Sequence, residues 1–114
     1  MDYSISLVIT TYNRFDTFLV HTLDKYANNK YIKEIIISDD CSNDYDKLNI
    51  YCTNHPKKEL FKIYKQPSNI GALRNKIVAC TYATCEWICL MDSDNFCDVN
   101  YFENLINYWN QNGI

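Results

Sequence analysis

Glycine and proline are scarce, with two of each in 114 residues, and that shortage closes several routes at once. A dinucleotide fingerprint needs Gly-x-Gly-x-x-Gly and a P-loop needs Gly-x4-Gly-Lys-Ser/Thr; with Gly71 and Gly113 alone, neither can be built. Collagen-like, Gly/Ser-linker and Pro-rich low-complexity readings fail for the same reason. Positive charge is also short. Lys and Arg number 11 against 14 Asp and Glu, a net charge of −3, the wrong balance for binding nucleic acid through phosphate neutralisation. No apolar run approaches the roughly 18–20 residues that cross a bilayer, and Asp2 stands where a secretory signal would carry a basic region. The six cysteines include no Cys-x-x-Cys pair, and His21 and His55 lie far along the chain from Cys80, Cys85, Cys89 and Cys97. Zinc is therefore not expected. Cys41, Cys52 and the other four are expected as free thiols in a reducing, cytoplasmic setting, where cysteine packs as a small hydrophobe.

What remains is ordinary for one globular domain: 47% hydrophobic and 22% charged residues, enough chain for a single core. Short β-branched runs alternate with amphipathic ones. Residues Ser4 to Thr10, Glu34 to Ser38, Leu60 to Lys65 and Glu86 to Met91 read as strands, the second apolar enough to be buried on both faces. Asp16 to about Ala27 repeats Phe18, Leu19, Leu23 and Tyr26 at helical spacing, with Asp16 as the expected cap. Asp44 to about Thr53 places Tyr45, Leu48 and Cys52 on one face. Gly71 opens a helix carrying Leu73, Ile77 and Cys80, and Asn100 to about Asn110 carries Phe102, Leu105, Ile106 and Trp109. This β-α-β-α-β-α-β-α order predicts an α/β domain, a mostly parallel sheet with helices on both faces. Ligands of such sheets bind beyond the carboxyl ends of the strands.

Four polar clusters fall at that edge: Thr10-Thr11-Tyr12-Asn13-Arg14, Asp39 to Asp44, Asn69-Ile70-Gly71 with Arg74-Asn75, and Asp92-Ser93-Asp94-Asn95. The amino ends of the strands carry nothing comparable. Any one cluster reads as a turn, since Asn, Asp and Ser favour turns for backbone reasons; two acidic sets and a basic one on a single edge point to a site. Asp92 and Asp94 follow a strand expected to be central. Two close carboxylates repel unless a cation lies between them, and Mg2+ or Mn2+ takes one or two carboxylates with phosphate oxygens. Arg74 offers a planar fork for phosphate. Asp40 suits a ring N–H such as that of uracil, and Tyr12 offers a stacking face.

Together these segments resemble glycosyltransferase family 2. Leu7 to Arg14 is similar to its opening strand, which ends Thr-Tyr-Asn-Arg. Ile35 to Asp44 resembles its second strand and Asp-Asp-Gly-Ser-x-Asp turn, with Cys41 in place of the usual Gly. Asn69 to Asn75 resembles its Asn-x-Gly helix opening that closes on Arg-Asn, and Glu86 to Asn95 its strand running into Asp-x-Asp. The resemblance implies a Rossmann-like GT-A domain over residues 1–114, the N-terminal part of a longer enzyme. It further implies a nucleotide-diphospho-sugar donor, UDP-linked by family habit, passed with inversion to an acceptor hydroxyl. Thr10 and Tyr12 would line the base site, Asp40 would accept from the base with Asp39 supporting that turn, and Arg74 would face the diphosphate. Asp92 and Ser93 would contact the donor, and Asp94, with Asp92, would hold Mn2+ or Mg2+. No residue matches the family's general base, so the chain is expected to bind a donor without transferring it. The competing expectation is a nucleotide- or metal-binding interaction module without turnover; a receiver-like module fits less well, because its acidic pair follows the first strand.

Overall fold

The computed structural model describes residues 4–95 and 100–113. Four strands, Ile5–Thr11 (β1), Ile32–Asp39 (β2), Phe61–Lys65 (β3) and Trp87–Asp92 (β4), alternate with four helices, Val20–Ala27 (α1), Tyr45–Thr53 (α2), Ala72–Thr81 (α3) and Tyr101–Gln111 (α4). One turn of π-helix, Phe15–Leu19, leads into α1, and a 3₁₀ turn, Lys58–Leu60, leads into β3. The strands pair in parallel in the order β3-β2-β1-β4. Every residue of β1 is buried, as a strand covered on both faces requires. Because successive side chains alternate, Leu7, Ile9, Ile35 and Ile37 meet Leu23 of α1, Leu48 of α2 and Phe102 and Ile106 of α4, while Val8 and Ile36 meet Ala79 of α3. Each such aliphatic side chain contributes roughly 1.5–3 kcal/mol by leaving water.

Three expectations need correction. β4 is not central: among the described residues it pairs with β1 alone. Its Ile88 and Leu90, on the face that α3 covers over β1 and β2, stay half exposed at 49% and 45%. Second, α3 does not bury Leu73 and Ile77, which are 71% and 60% exposed. It buries Asn75 and Ala79 instead, because the Asn75 amide donates to the Ser38 carbonyl (2.9 Å) and accepts from the Ser38 hydroxyl (2.6 Å), pinning that face to β2. Third, Asp16 does not cap the first helix. It pairs with Lys47 at 2.8 Å, and the Phe15 amide is taken by the Asp44 carboxylate from across the chain (3.1 Å).

The amino ends of the strands also hold a polar cluster that the sequence pattern did not disclose. Glu34 is 3% exposed and accepts from the Ser6 hydroxyl, from Lys62 Nζ (2.6 Å), and from the Thr84 amide (2.6 Å) and hydroxyl (2.9 Å). Burial alone would raise this carboxyl; the Lys62, Ser6 and Thr84 bonds outweigh burial and lower it to about 2. The described cysteines, Cys41, Cys52, Cys80, Cys85 and Cys89, are free thiols; Cys97 lies outside the described residues.

Candidate functional site

The loops that leave β1 and β2 are stitched together by side chains that a turn alone would not need. The Asn13 amide donates to Ser42 Oγ (2.8 Å), the Asn43 amide to Asn13 Oδ1 (2.8 Å), and the Asp40 amide to the Thr11 carbonyl (2.9 Å). Asp39, 1% exposed, accepts from the Ser42 amide at 2.7 Å and so braces the turn. Burial, and next the Asp39 carboxylate, push the neighbouring Tyr45 hydroxyl above its ordinary range. Cys41, at the position where the family carries Gly, keeps a left-handed backbone with φ +66°, so the turn survives the exchange at the cost of a Cβ in a region that favours glycine.

These stitches frame a cleft of about 340 Å3 at the carboxyl edge of the sheet. Thr10, Thr11, Tyr12 and Arg14 line it from the end of β1 and Asp40 from the end of β2; Asn69, Gly71, Ala72, Asn75 and Lys76 line it from the start of α3, and Asp92, Ser93 and Asp94 from the end of β4. Thr10, Tyr12, Asp40, Asp92, Ser93 and Asp94 were all singled out from sequence, and the fold brings them together. Tyr12 is 48% exposed, open enough to present a ring face. Thr10 Oγ1 donates to Asp92 Oδ1 (3.3 Å), and the Ser93 amide to the Thr10 carbonyl (3.0 Å), tying β4 to β1 where the two acids emerge.

Two placements differ from expectation. Asp40 lines the cleft but is only 4% exposed, and both its oxygens are engaged: Oδ1 accepts from the Ile70 amide (2.7 Å) and Oδ2 from the Gly71 amide (3.0 Å). Its first task is to hold the entry to α3. Arg74 is exposed on α3 and does not line the cleft. Two cations do, Arg14 from the end of β1 and Lys76 from α3, and Lys76 Nζ lies 3.0 Å from Asp92 Oδ1. Sequence reasoning passed over Lys76, because a lysine within an amphipathic helix carries no signal of its own.

The donor set suits a hard divalent ion. Asp94 is exposed, with no hydrogen bond or ion pair among the described residues, and Asp92 Oδ2 is likewise uncommitted beside the Lys76 pair. No group of three or more His, Cys, Asp or Glu forms among the described residues. Two carboxylates match Mg2+ or Mn2+ completed by phosphate oxygens, and would not make a closed protein cage.

Comparison with known proteins bears on the fold and the family. No curated protein matches the chain, but solved structures do. TarS 1-349 of S. aureus aligns with TM-score 0.78 and 21% identity over 95% of this chain and 32% of that one. The same protein in complex with UDP-GlcNAc gives 0.76 and 23% over 95% and 31%. The mannosyltransferase PcManGT from Pyrobaculum calidifontis, in complex with GDP-Man and Mn2+, gives 0.77 and 18% over 92% and 32%. At these identities the likeness shows the GT-A fold, and this chain spans about a third of the length of the structures it matches. Among the described residues no helix is long and apolar enough to cross a membrane. The family model described as Glycosyl transferase family 2 matches residues 6–114, nearly the whole chain, and the protein belongs to that family.

Proposed function

We propose that this chain is the donor-binding part of a metal-dependent, inverting glycosyltransferase. It takes a nucleotide-diphospho-sugar, UDP-linked and carrying a hexosyl or related group, for delivery to the hydroxyl of a saccharide acceptor. The observation that carries the reading is the meeting of Asp92 and Asp94 with Tyr12 and Asp40 in one cleft at the strand ends. Tyr12 stacks on the base. Asp40, fixed by the two amides, accepts from the base ring N–H with its remaining lone pairs. Thr10 and Ser93 close the floor between base and phosphates, and Asp39 acts through the turn it holds. Asp92 and Asp94 hold Mn2+ or Mg2+. Bound there, such an ion supplies electrostatic and Lewis-acid stabilisation to a departing diphosphate.

In an inverting transfer the acceptor oxygen attacks the anomeric carbon as the bond to the diphosphate breaks, and the acceptor proton passes to a base. No residue in this chain matches the family's base, so these residues bind and orient the donor while transfer itself needs groups from elsewhere. The likeness to structures about three times as long supports that division. The free thiols fit a reducing cytoplasm, where we place the reaction. Thermal-shift titration with UDP, GDP and dTDP, each with and without Mn2+, tests the reading. Stabilisation by a nucleoside diphosphate only when metal is present supports it; no response to any of the three with metal refutes it.

A further inference from the structure

We propose that Lys76 is the side chain that grips the donor's diphosphate, exchanging its pair with Asp92 for the phosphates when a divalent ion binds that acid. The inference rests on the donor-binding reading above. It starts from Asn75, which is 2% exposed and bonded twice to Ser38, so the rotation of α3 about its axis is fixed. Residues of an α-helix follow one another by about 100°, which sends Arg74 and Lys76 to opposite flanks of Asn75. Only one of them can face the end of β4. Lys76 does, with its Nζ 3.0 Å from Asp92 Oδ1, and Arg74 stays exposed outside the cleft.

Phosphates often rest on free amides at a helix start; the Ile70 and Gly71 amides just before α3 are already held by Asp40. A side-chain cation at the cleft can meet the phosphates as well. Arg14, the other cation lining the cleft, sits at the β1 side with its guanidinium 5.9 Å from the centre of the Phe18 ring. Of the two, Lys76 is the one paired to the acid that would share the ion. That pair is loosely held, its side chains 32% and 44% exposed, and ion pairs this wet contribute little. A divalent ion on Asp92 and Asp94 repels the ammonium, the flexible lysine stem lets it leave, and the diphosphate that arrives with the ion is its new partner.

Isothermal titration of the purified protein, with ligand-observed NMR for weak uridine, tests the exchange in wild type, Lys76→Met, Lys76→Arg and Arg74→Met. With saturating Mn2+, Lys76→Met is expected to weaken UDP by about ten- to a hundredfold, as loss of a charge-assisted bond does. Uridine, which lacks phosphates, should change by less than about twofold. Mn2+ alone should bind up to about fivefold tighter, since its competitor on Asp92 is gone. Lys76→Arg should recover most of the UDP affinity. Unchanged UDP binding in Lys76→Met, an equal loss for uridine, or a larger loss in Arg74→Met overturns the diphosphate assignment. Unchanged or weaker Mn2+ binding in Lys76→Met overturns the exchange on Asp92. If wild type itself ignores UDP with Mn2+, the donor-binding reading falls and takes Lys76 with it, a result distinct from a wild type that binds and a variant that binds equally well.

Discussion

Acid should weaken this domain through Glu34. The carboxyl is 3% exposed and held at about 2 against an ordinary 4.5, with the Lys62, Ser6 and Thr84 bonds outweighing the upward push of burial. A lowered carboxyl gives stability that is complete above the unfolded value, declines as pH falls from about 4.5 towards 2, and is gone below that. The size follows from about 1.4 kcal/mol per tenfold change in proton affinity, which makes the contribution about 3.5 kcal/mol. Lys62 is 41% exposed, so water screens part of its pull, and the figure is an upper one. Urea melts of wild type and Glu34→Gln from pH 7 to pH 2 isolate it, because the other carboxyls titrate in both proteins. The gap between the two should be widest at pH 6–7 and close by about 2–3 kcal/mol towards pH 2. A gap that stays constant with pH would refute the reasoning, since the cost of the substitution would then be one of packing and not of charge.

Three further outcomes follow from single contacts. Asp40→Ala leaves the Ile70 amide unpaired and the Gly71 amide with Asn69 Oδ1 (3.1 Å) in place of the carboxylate, and should cost about 1–3 kcal/mol in urea melts as well as donor affinity; unchanged stability would show that the two bonds hold nothing. Cys41→Gly relieves a left-handed residue with φ +66° and should stabilise by about 0.5–1 kcal/mol, read as a rise in Tm; a fall in Tm contradicts it. Asp94→Ala should keep stability within about 0.5 kcal/mol, because the side chain is exposed and without a partner among the described residues, yet lose Mn2+-dependent UDP binding. Retained metal dependence in that variant removes Asp94 from the site.

The strands and the clustering at their carboxyl ends were legible because each is local. A run such as Leu7-Val8-Ile9 declares a buried strand by itself, and Asp92-Ser93-Asp94 declares where that kind of run stops. What was not legible depends on partners far apart. Glu34 looks like the polar start of an apolar run; its partners Lys62 and Thr84 stand 28 and 50 residues away, and periodicity is blind to them. The buried face of α3 was misread for a related reason. Leu73 and Ile77 count as apolar in any periodic scheme, but an amide matched to both polar groups of Ser38 outcompetes them for the sheet. Strand order is likewise absent from a periodic pattern, so β4 could be placed among the strands but not at the rim.

The two acidic pairs of the cleft show how similar sequence words take different work. Asp39 and Asp40 are 1% and 4% exposed, and between them they accept from the Ser42, Ile70 and Gly71 amides. Carboxylates tied this way are buried and anchored by neutral donors, and their work is to hold the loops. Asp92 and Asp94 stand at the rim, where β4 has no described neighbour on its outer side. One is shared between Thr10 and a loosely held lysine and the other has no partner among the described residues. Only the second pair can trade partners as ligand arrives. The first pair supplies the rigidity that makes such a trade productive, since the Ile70–Gly71 entry it fixes and the Asn75 anchor together decide which flank of α3, and hence which cation, faces the acids.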